Sequence, residues 1–109
     1  MAKFVYIQWL VNFFESFDQF IFEWDSGNSI KSELKHNIGI ELIESCFLDN
    51  KIMALGIQVQ PKHVEERYGI IAKASDGKIL FVCFTIRTGK IRPISGRIAS
   101  KKEREIYEA

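Results

Sequence analysis

Between Thr85 and Arg104 the chain carries seven positive residues, Arg87, Lys90, Arg92, Arg97, Lys101, Lys102 and Arg104, against one acid, Glu103. Along a strand, Arg87 shares the parity of Thr85, and Lys90 and Arg92 share the other repeat of the next strand. Several cations can therefore converge on one sheet face. Arg97, Lys101 and Arg104 fall at the start of the last helix, with Lys101 and Arg104 one turn apart. A concentrated positive face suits a polyanion, and in a domain of this size nucleic acid is the natural candidate. Arg87, Arg92 and Arg97 are all Arg, whose planar fork holds phosphate bidentately. The competing reading is a solvated edge and helix. For hydrolysis without a metal, RNA is the favoured substrate, because its own 2′-hydroxyl attacks the adjacent phosphate. The protein then supplies a base, a cation for the developing charge and an acid for the leaving oxygen. His36, Glu66, Glu103 and Tyr107 are the candidates for proton transfer. Each has a plain structural alternative: a helix-end His, a Glu paired to an Arg, a capping-box Glu, and a core or partner-facing Tyr. Glu65 and Glu66 together could pair with neighbouring Arg, and His63 reads as surface.

The chain of 109 residues is one domain with a single core, 47% hydrophobic, 27% charged and with a net charge of +1. That average conceals an uneven distribution. Met1 to Pro61 holds four Lys and eight acids, whereas Lys62 to Ala109 holds 11 Lys and Arg and six acids, and nine of the 14 aromatic residues lie at or before Trp24. Cys46 and Cys83 are too few and too distant for a disulfide framework or a zinc site and read as small buried apolar residues. Phe4 to Phe14 is too short to span a bilayer and lacks a signal-peptide cleavage pattern, so a cytoplasmic protein with no membrane association is expected. Motifs for nucleotide cradles, zinc proteases, serine hydrolases and redox dithiols are absent, and no cofactor or metal is implied.

The elements that must position these residues follow from periodicity. Tyr6 to Phe20 places Ile7, Leu10, Val11, Phe14 and Phe17 at three- and four-residue steps, an amphipathic helix. Phe20 to Trp24 suits a short strand, Asn28 to His36 a helix ended by Asn37, and Glu41 to Phe47 a second helix. The pattern then turns strand-like over Ile52 to Val59 and Arg67 to Ala74. Ser75-Asp76-Gly77-Lys78 marks a tight hairpin. Ile79 to Arg87 is apolar on both faces at its centre, as a central strand would be, and Thr88-Gly89 turns into Lys90 to Ser95, where Pro93 demands an edge or a bulge. Ser100 and Glu103 form a capping box that opens a helix to about Glu108. The expected fold is α+β: a small antiparallel sheet of three to four strands, two N-terminal helices, a C-terminal helix and an extra N-terminal amphipathic helix.

Taken in order, Phe22-Glu23-Trp24-Asp25, Asn28, Lys35-His36-x-Ile38, Glu65-Glu66-Arg67-Tyr68, Phe84-Thr85-Ile86-Arg87, Ile91-Arg92-Pro93-Ile94-Ser95-Gly96-Arg97-x-Ala99 and Glu103-Arg104-x-x-Tyr107-Glu108 resemble the BrnT toxin family, also catalogued as DUF497. The resemblance implies a RelE-like domain over residues 21–109. It implies a bacterial type II toxin, a metal-independent endoribonuclease that inhibits translation, neutralised by a BrnA-like ribbon-helix-helix antitoxin. Transferred by position, the family's polar motif residues are Trp24, Asp25, Lys35, His36, Arg67, Thr85, Arg87, Arg92, Ser95, Arg97, Glu103 and Tyr107. Lys35, His36, Arg67, Arg87, Arg97, Glu103 and Tyr107 are the expected catalytic set, and Thr85, Arg87, Lys90, Arg92, Arg97 and Lys101 the expected RNA and phosphate contacts. Gly96 stands where the family usually has Ala, and Asn37 where it usually has Gly. Family members begin near the Phe22 block, and no Met lies between Met1 and Met53, so either residues 1–20 are a genuine amphipathic extension, for which a homodimer through this helix is one role, or translation begins at a non-AUG codon. The alternative function is a non-catalytic binding module of the same fold.

Overall fold

Apolar runs separated by short turns give this chain an antiparallel meander, and two of its helices bury their stripes against one face of it. The computed structural model describes residues 3–16, 20–24, 38–60 and 65–109. In chain order the elements are β1 (Lys3–Val5), α1 (Gln8–Ser16), α2 (Ile40–Cys46), β2 (Met53–Gln60), β3 (Tyr68–Lys73), β4 (Ile79–Arg87), β5 (Lys90–Ile98) and α3 (Lys101–Glu108). All five strands form one sheet in the order β1-β2-β3-β4-β5, each antiparallel to its neighbours.

The core lies on one sheet face. Ile70 and Ala72 of β3 and Leu80, Val82 and Phe84 of β4 meet Leu10 of α1 and Ile43 and Cys46 of α2, all of them buried. Phe14, Phe47 and Phe84 interlock, with ring centroids 5.2 to 6.1 Å apart, the spacing at which aromatic pairs attract beyond the area they bury. The opposite face is covered only in part, by α3. Ser100 accepts from the Glu103 amide while Glu103 Oε1 accepts from the Ser100 amide at 2.8 Å, the reciprocal box expected from the sequence. At its far end the Tyr107 hydroxyl donates to Asp49 Oδ2 at 2.6 Å.

Several expectations are corrected. The sheet has five strands, not three to four, because Lys3–Val5 pairs with Gln60, Gln58 and Ile57 of β2. Two glycines make room for it. A side chain on Gly56 (φ +113°) would strike the Val5 carbonyl, and one on Gly69 would strike the Phe4 ring. Phe20 to Trp24 is not a strand: a single parallel bridge joins Phe22 to Ile91, with the Glu23 amide donating to the Ile91 carbonyl and the Ile91 amide to that of Ile21. The amphipathic helix is shorter than its periodicity, Gln8–Ser16, with residues 17–19 outside the described chain. The helix expected from Asn28 to His36 also falls outside the described residues, while that from Glu41 to Phe47 is α2 with a one-residue shift. β5 runs three residues past Ser95, so Arg97 belongs to the sheet and not to the start of α3.

Candidate phosphate-binding face

Directly opposed residues of an antiparallel pair point to the same side. Between β4 and β5 the pairs on the face away from the core are Phe81 with Arg97, Cys83 with Ser95, Thr85 with Arg92, and Arg87 with Lys90. Arg92 and Arg97 are an odd number of residues apart, and in a regular strand they would point to opposite sides. The register slips between Cys83, opposite Ser95, and Phe84, opposite Pro93, so Ile94 is the extra residue of a β-bulge. Pro93, expected to mark an edge or a bulge, lies on an edge strand beside this bulge, which brings both arginines onto one face. Arg67, just before β3, continues this face: Tyr68 pairs with Phe84, which sets Arg67 beside Thr85. Between β4 and β5 the chain reverses through Thr88 (φ 49°) and Gly89 (φ 77°), the two positive φ values of a tight hairpin turn that holds Arg87 and Lys90 side by side.

Each arginine has a defined environment. Arg87 grips Glu65 with two nitrogens, Nη2 lying 2.9 Å from Oε1, and this contact holds the Glu65 carboxyl below its usual range. Arg92 Nη1 lies 3.3 Å from Glu23 Oε1, reaching the segment bridged to β5. Arg97 forms a bidentate pair with Glu103, both distances 2.8 Å, and its guanidinium carbon stands 4.5 Å from the Phe81 ring centroid. For Glu103, burial raises the pKa but is outweighed by hydrogen bonds from Arg97 and the Ser100 amide, so the carboxyl is held low. Among the described residues the Arg67 guanidinium has no hydrogen-bond or ion-pair partner. It lines a groove of about 430 Å³ together with Arg97, Glu103, Ser95, Phe81 and Phe4.

The remaining expected site residues separate by place. The Thr85 hydroxyl, 2% exposed, donates to the Glu66 carbonyl at 2.8 Å, so it fixes the backbone leading to Arg67 and is buried beneath the open face. Lys90 and Lys101 are exposed. Tyr107 lies on Asp49 and not on the groove lining. Burial, reinforced by the Asp49 carboxylate, pushes its hydroxyl up to about 12. Lys35, His36 and His63 lie outside the described residues. Trp24 donates its indole N–H to Glu44 at 2.7 Å and joins the edge segment to α2. Both cysteines are free and buried, and burial raises the Cys46 thiol to about 12.

Two groove residues, Phe4 and Phe81, are not marked by the charge pattern. Phe81 could have been found from its parity with Cys83 and Thr85. Phe4 could not, because its place depends on a nonlocal pairing. Among the described residues no three His, Cys, Asp or Glu side chains come together as a metal centre requires, and no helix is long and apolar enough to cross a membrane. The arginines of this face can be presented to a phosphodiester, with the carboxylates paired to them placed to exchange for, or accept protons from, the bound group.

The family model described as ribonuclease toxin, BrnT, of type II toxin-antitoxin system matches residues 24–103. The matched segment contains Arg67, Arg87, Arg92, Arg97 and Glu103, and it excludes β1 and α1. Among solved structures, the 1.1 Å crystal structure of the ribonuclease toxin BrnT from Brucella abortus is similar, with 19% sequence identity and a TM-score of 0.49, over 76% of this chain and 100% of that one. No curated protein matches the chain.

Proposed function

Because the chain belongs to the BrnT family of type II toxin–antitoxin ribonuclease toxins, we propose that it is a metal-independent endoribonuclease that inhibits translation by cutting RNA on its open sheet face. The observation that carries this reading is the bulge at Ile94, which gathers Arg92 and Arg97 with Arg67 and Arg87 on the side left open by α1 and α2. A row of guanidinium groups binds the backbone of a single strand, and one aimed at the scissile phosphate offsets the charge that develops when the 2′-hydroxyl attacks. Arg67, Arg92 and Arg97 take this role, with Arg87 and Lys90 extending the track at the β4–β5 turn and Lys101 extending it beyond Arg97. Binding proceeds by exchange, as phosphate replaces Glu65, Glu23 and Glu103 on their arginines. Glu103, ionised, serves as a proton acceptor, Lys35 and His36 complete the proton transfer, and Tyr107 keeps α3 in place. Two helices over the core face of an antiparallel meander, with arginines and the C-terminal helix on the other, suit a RelE-like enzyme acting in the cytoplasm. A ribbon-helix-helix antitoxin of BrnA type is its expected partner. Homodimerisation through α1 would use exposed Trp9, with exposed Tyr6 just ahead of the helix, since Leu10 faces the core.

Single-stranded RNA incubated with the purified protein in excess EDTA should be cut to products with 2′,3′-cyclic phosphate ends. Arg92→Ala and Arg87→Ala should slow cutting, the former by roughly 100-fold or more, as loss of a charge-stabilising donor does in other enzymes. A folded wild-type protein that is inert in EDTA, or active only after a divalent ion is restored, overturns the proposal. The second reading, binding without cleavage, draws on the carboxylate held by each of Arg87, Arg92 and Arg97. It predicts retained RNA or antitoxin binding with no cutting and no growth arrest on expression.

A further inference from the structure

The N-terminal strand lies outside the family-matched segment, yet it reaches the arginine-lined groove. Phe4 pairs in register with Gln58, and its ring occupies the space above Gly69 on the open face. It meets Phe81 edge-on, with centroids 5.7 Å apart and planes at 67°. Phe81 in turn carries the Arg97 guanidinium on its ring. Phe4, Phe81 and Arg97 thus form a continuous run of flat groups, both rings half-buried, along the wall of the groove that Arg67 also lines. Phe81 stands four positions along β4 from Thr85, which pairs with Arg92. That is about 13 Å, the span of roughly two nucleotides of an extended strand.

Cations alone recognise a phosphate backbone. Cations interleaved with flat aromatic faces are what a single-stranded nucleic acid needs, because every base has a face to stack. We propose that Phe4, with Phe81, forms a nucleobase-stacking subsite beside the phosphate-binding arginines, so that the N-terminal strand completes the RNA site. This rests on the RNA reading above and goes beyond it by assigning a base pocket to a segment the family model does not cover. Gly69 is part of the device: a Cβ there would come within 2.6 Å of the Phe4 ring.

The test measures binding of the full chain to two uncleavable probes of equal length, a 2′-O-methyl RNA octamer and its abasic counterpart. Phe4→Leu keeps an apolar plug over Gly69 but removes the stacking face. It should weaken binding of the base-bearing octamer by roughly five- to 30-fold and leave the abasic probe within about two-fold. Phe4→Tyr should bind as wild type, and Gly69→Ala, which displaces the ring, should follow Phe4→Leu. Thermal unfolding of each variant keeps loss of structure separate from loss of stacking. If Phe4→Leu leaves the octamer unaffected, or weakens both probes equally, the subsite is overturned while the RNA reading stands. If wild-type protein binds neither probe, both fail.

Discussion

At Gly96 the packing is set to within a methyl group. A Cβ at this position would lie 2.9 Å from Ile43 Cδ1 and 3.0 Å from its Cγ1, closer than a relaxed core permits. Ile43 is fully buried, so it has little room to turn aside. Gly96→Ala is therefore expected to destabilise the protein by about 1 kcal/mol, and Ile43→Val, which removes the Cδ1 methyl, to offset most of that cost in the double variant. Urea midpoints for the four proteins give the coupling, and additive effects would show that the clash is absorbed elsewhere. Asp49 is a second residue with several dependents. It accepts from the Lys73 amide at 2.9 Å, the Lys51 amide at 3.1 Å and the Tyr107 hydroxyl. Burial alone would raise its pKa, but these donors together hold it below its ordinary value. Tyr107→Phe should cost roughly 1 kcal/mol and leave the Asp49 pKa closer to ordinary, which a carbon-detected titration of its carboxyl reports. An unchanged pKa would remove Tyr107 from its role as the latch of α3.

Among the elements, the β4–β5 hairpin carries the clearest stored strain. Thr88 adopts φ 49°, a left-handed conformation that a β-branched residue rarely takes. Thr88→Asn or Thr88→Gly should stabilise the chain by about 0.5–1 kcal/mol, seen as a raised melting temperature, and a lowered one would refute the strain. This hairpin, the Asp76-Gly77 hairpin and the capping box of α3 were legible in the sequence because each is written in adjacent residues. β4 was legible to the residue, because a continuous apolar run of strand length, bounded by the Asp76-Gly77 and Thr88-Gly89 turns, is what a strand buried on both faces presents. β1 was not. It has three residues, its partner is more than 50 residues away, and its alternation is swallowed by the aromatic run into α1. The shared face of Arg92 and Arg97 was half legible: Pro93 announced an edge or a bulge, but only the register shows that Ile94 is the residue pushed out and that parity therefore changes. The partners of the arginines were less visible still. Glu65 was anticipated near an Arg, whereas Glu23 reaches Arg92 only because a single backbone bridge lays its segment along β5.

For the whole molecule, the uneven composition maps onto two sides of one sheet: the aromatic N-terminal half supplies the helices over the core, and the basic C-terminal half supplies the arginines of the open face. Several carboxyls on this scaffold, Asp49, Glu65, Asp76 and Glu103, are held below their ordinary values of 3.8 and 4.5. Near pH 4 the unfolded chain binds more protons than the folded one, so stability is full above about pH 4.5 and falls as acid titrates the folded carboxyls. Urea unfolding should give a flat midpoint from pH 7 to about 5.5 and a decline below 4.5, with a flat profile to pH 3 excluding the linkage. The N-terminal segment contributes both core side chains and an edge strand to that scaffold. Leu10 is fully buried beside Ile43, Phe14 locks onto Phe47 and Phe84, and β1 covers the edge of β2. Leu10→Ala alone should cost about 2–5 kcal/mol, a large share of the roughly 5–15 kcal/mol that holds a domain folded. A chain starting at residue 20 loses that side chain, the Phe14 contacts and the strand that shields the sheet edge. It should therefore show no cooperative melt by circular dichroism and should self-associate in light scattering. If it melts cooperatively, as a monomer and within a few degrees of the full chain, residues 1–19 are an accessory to a domain that folds without them.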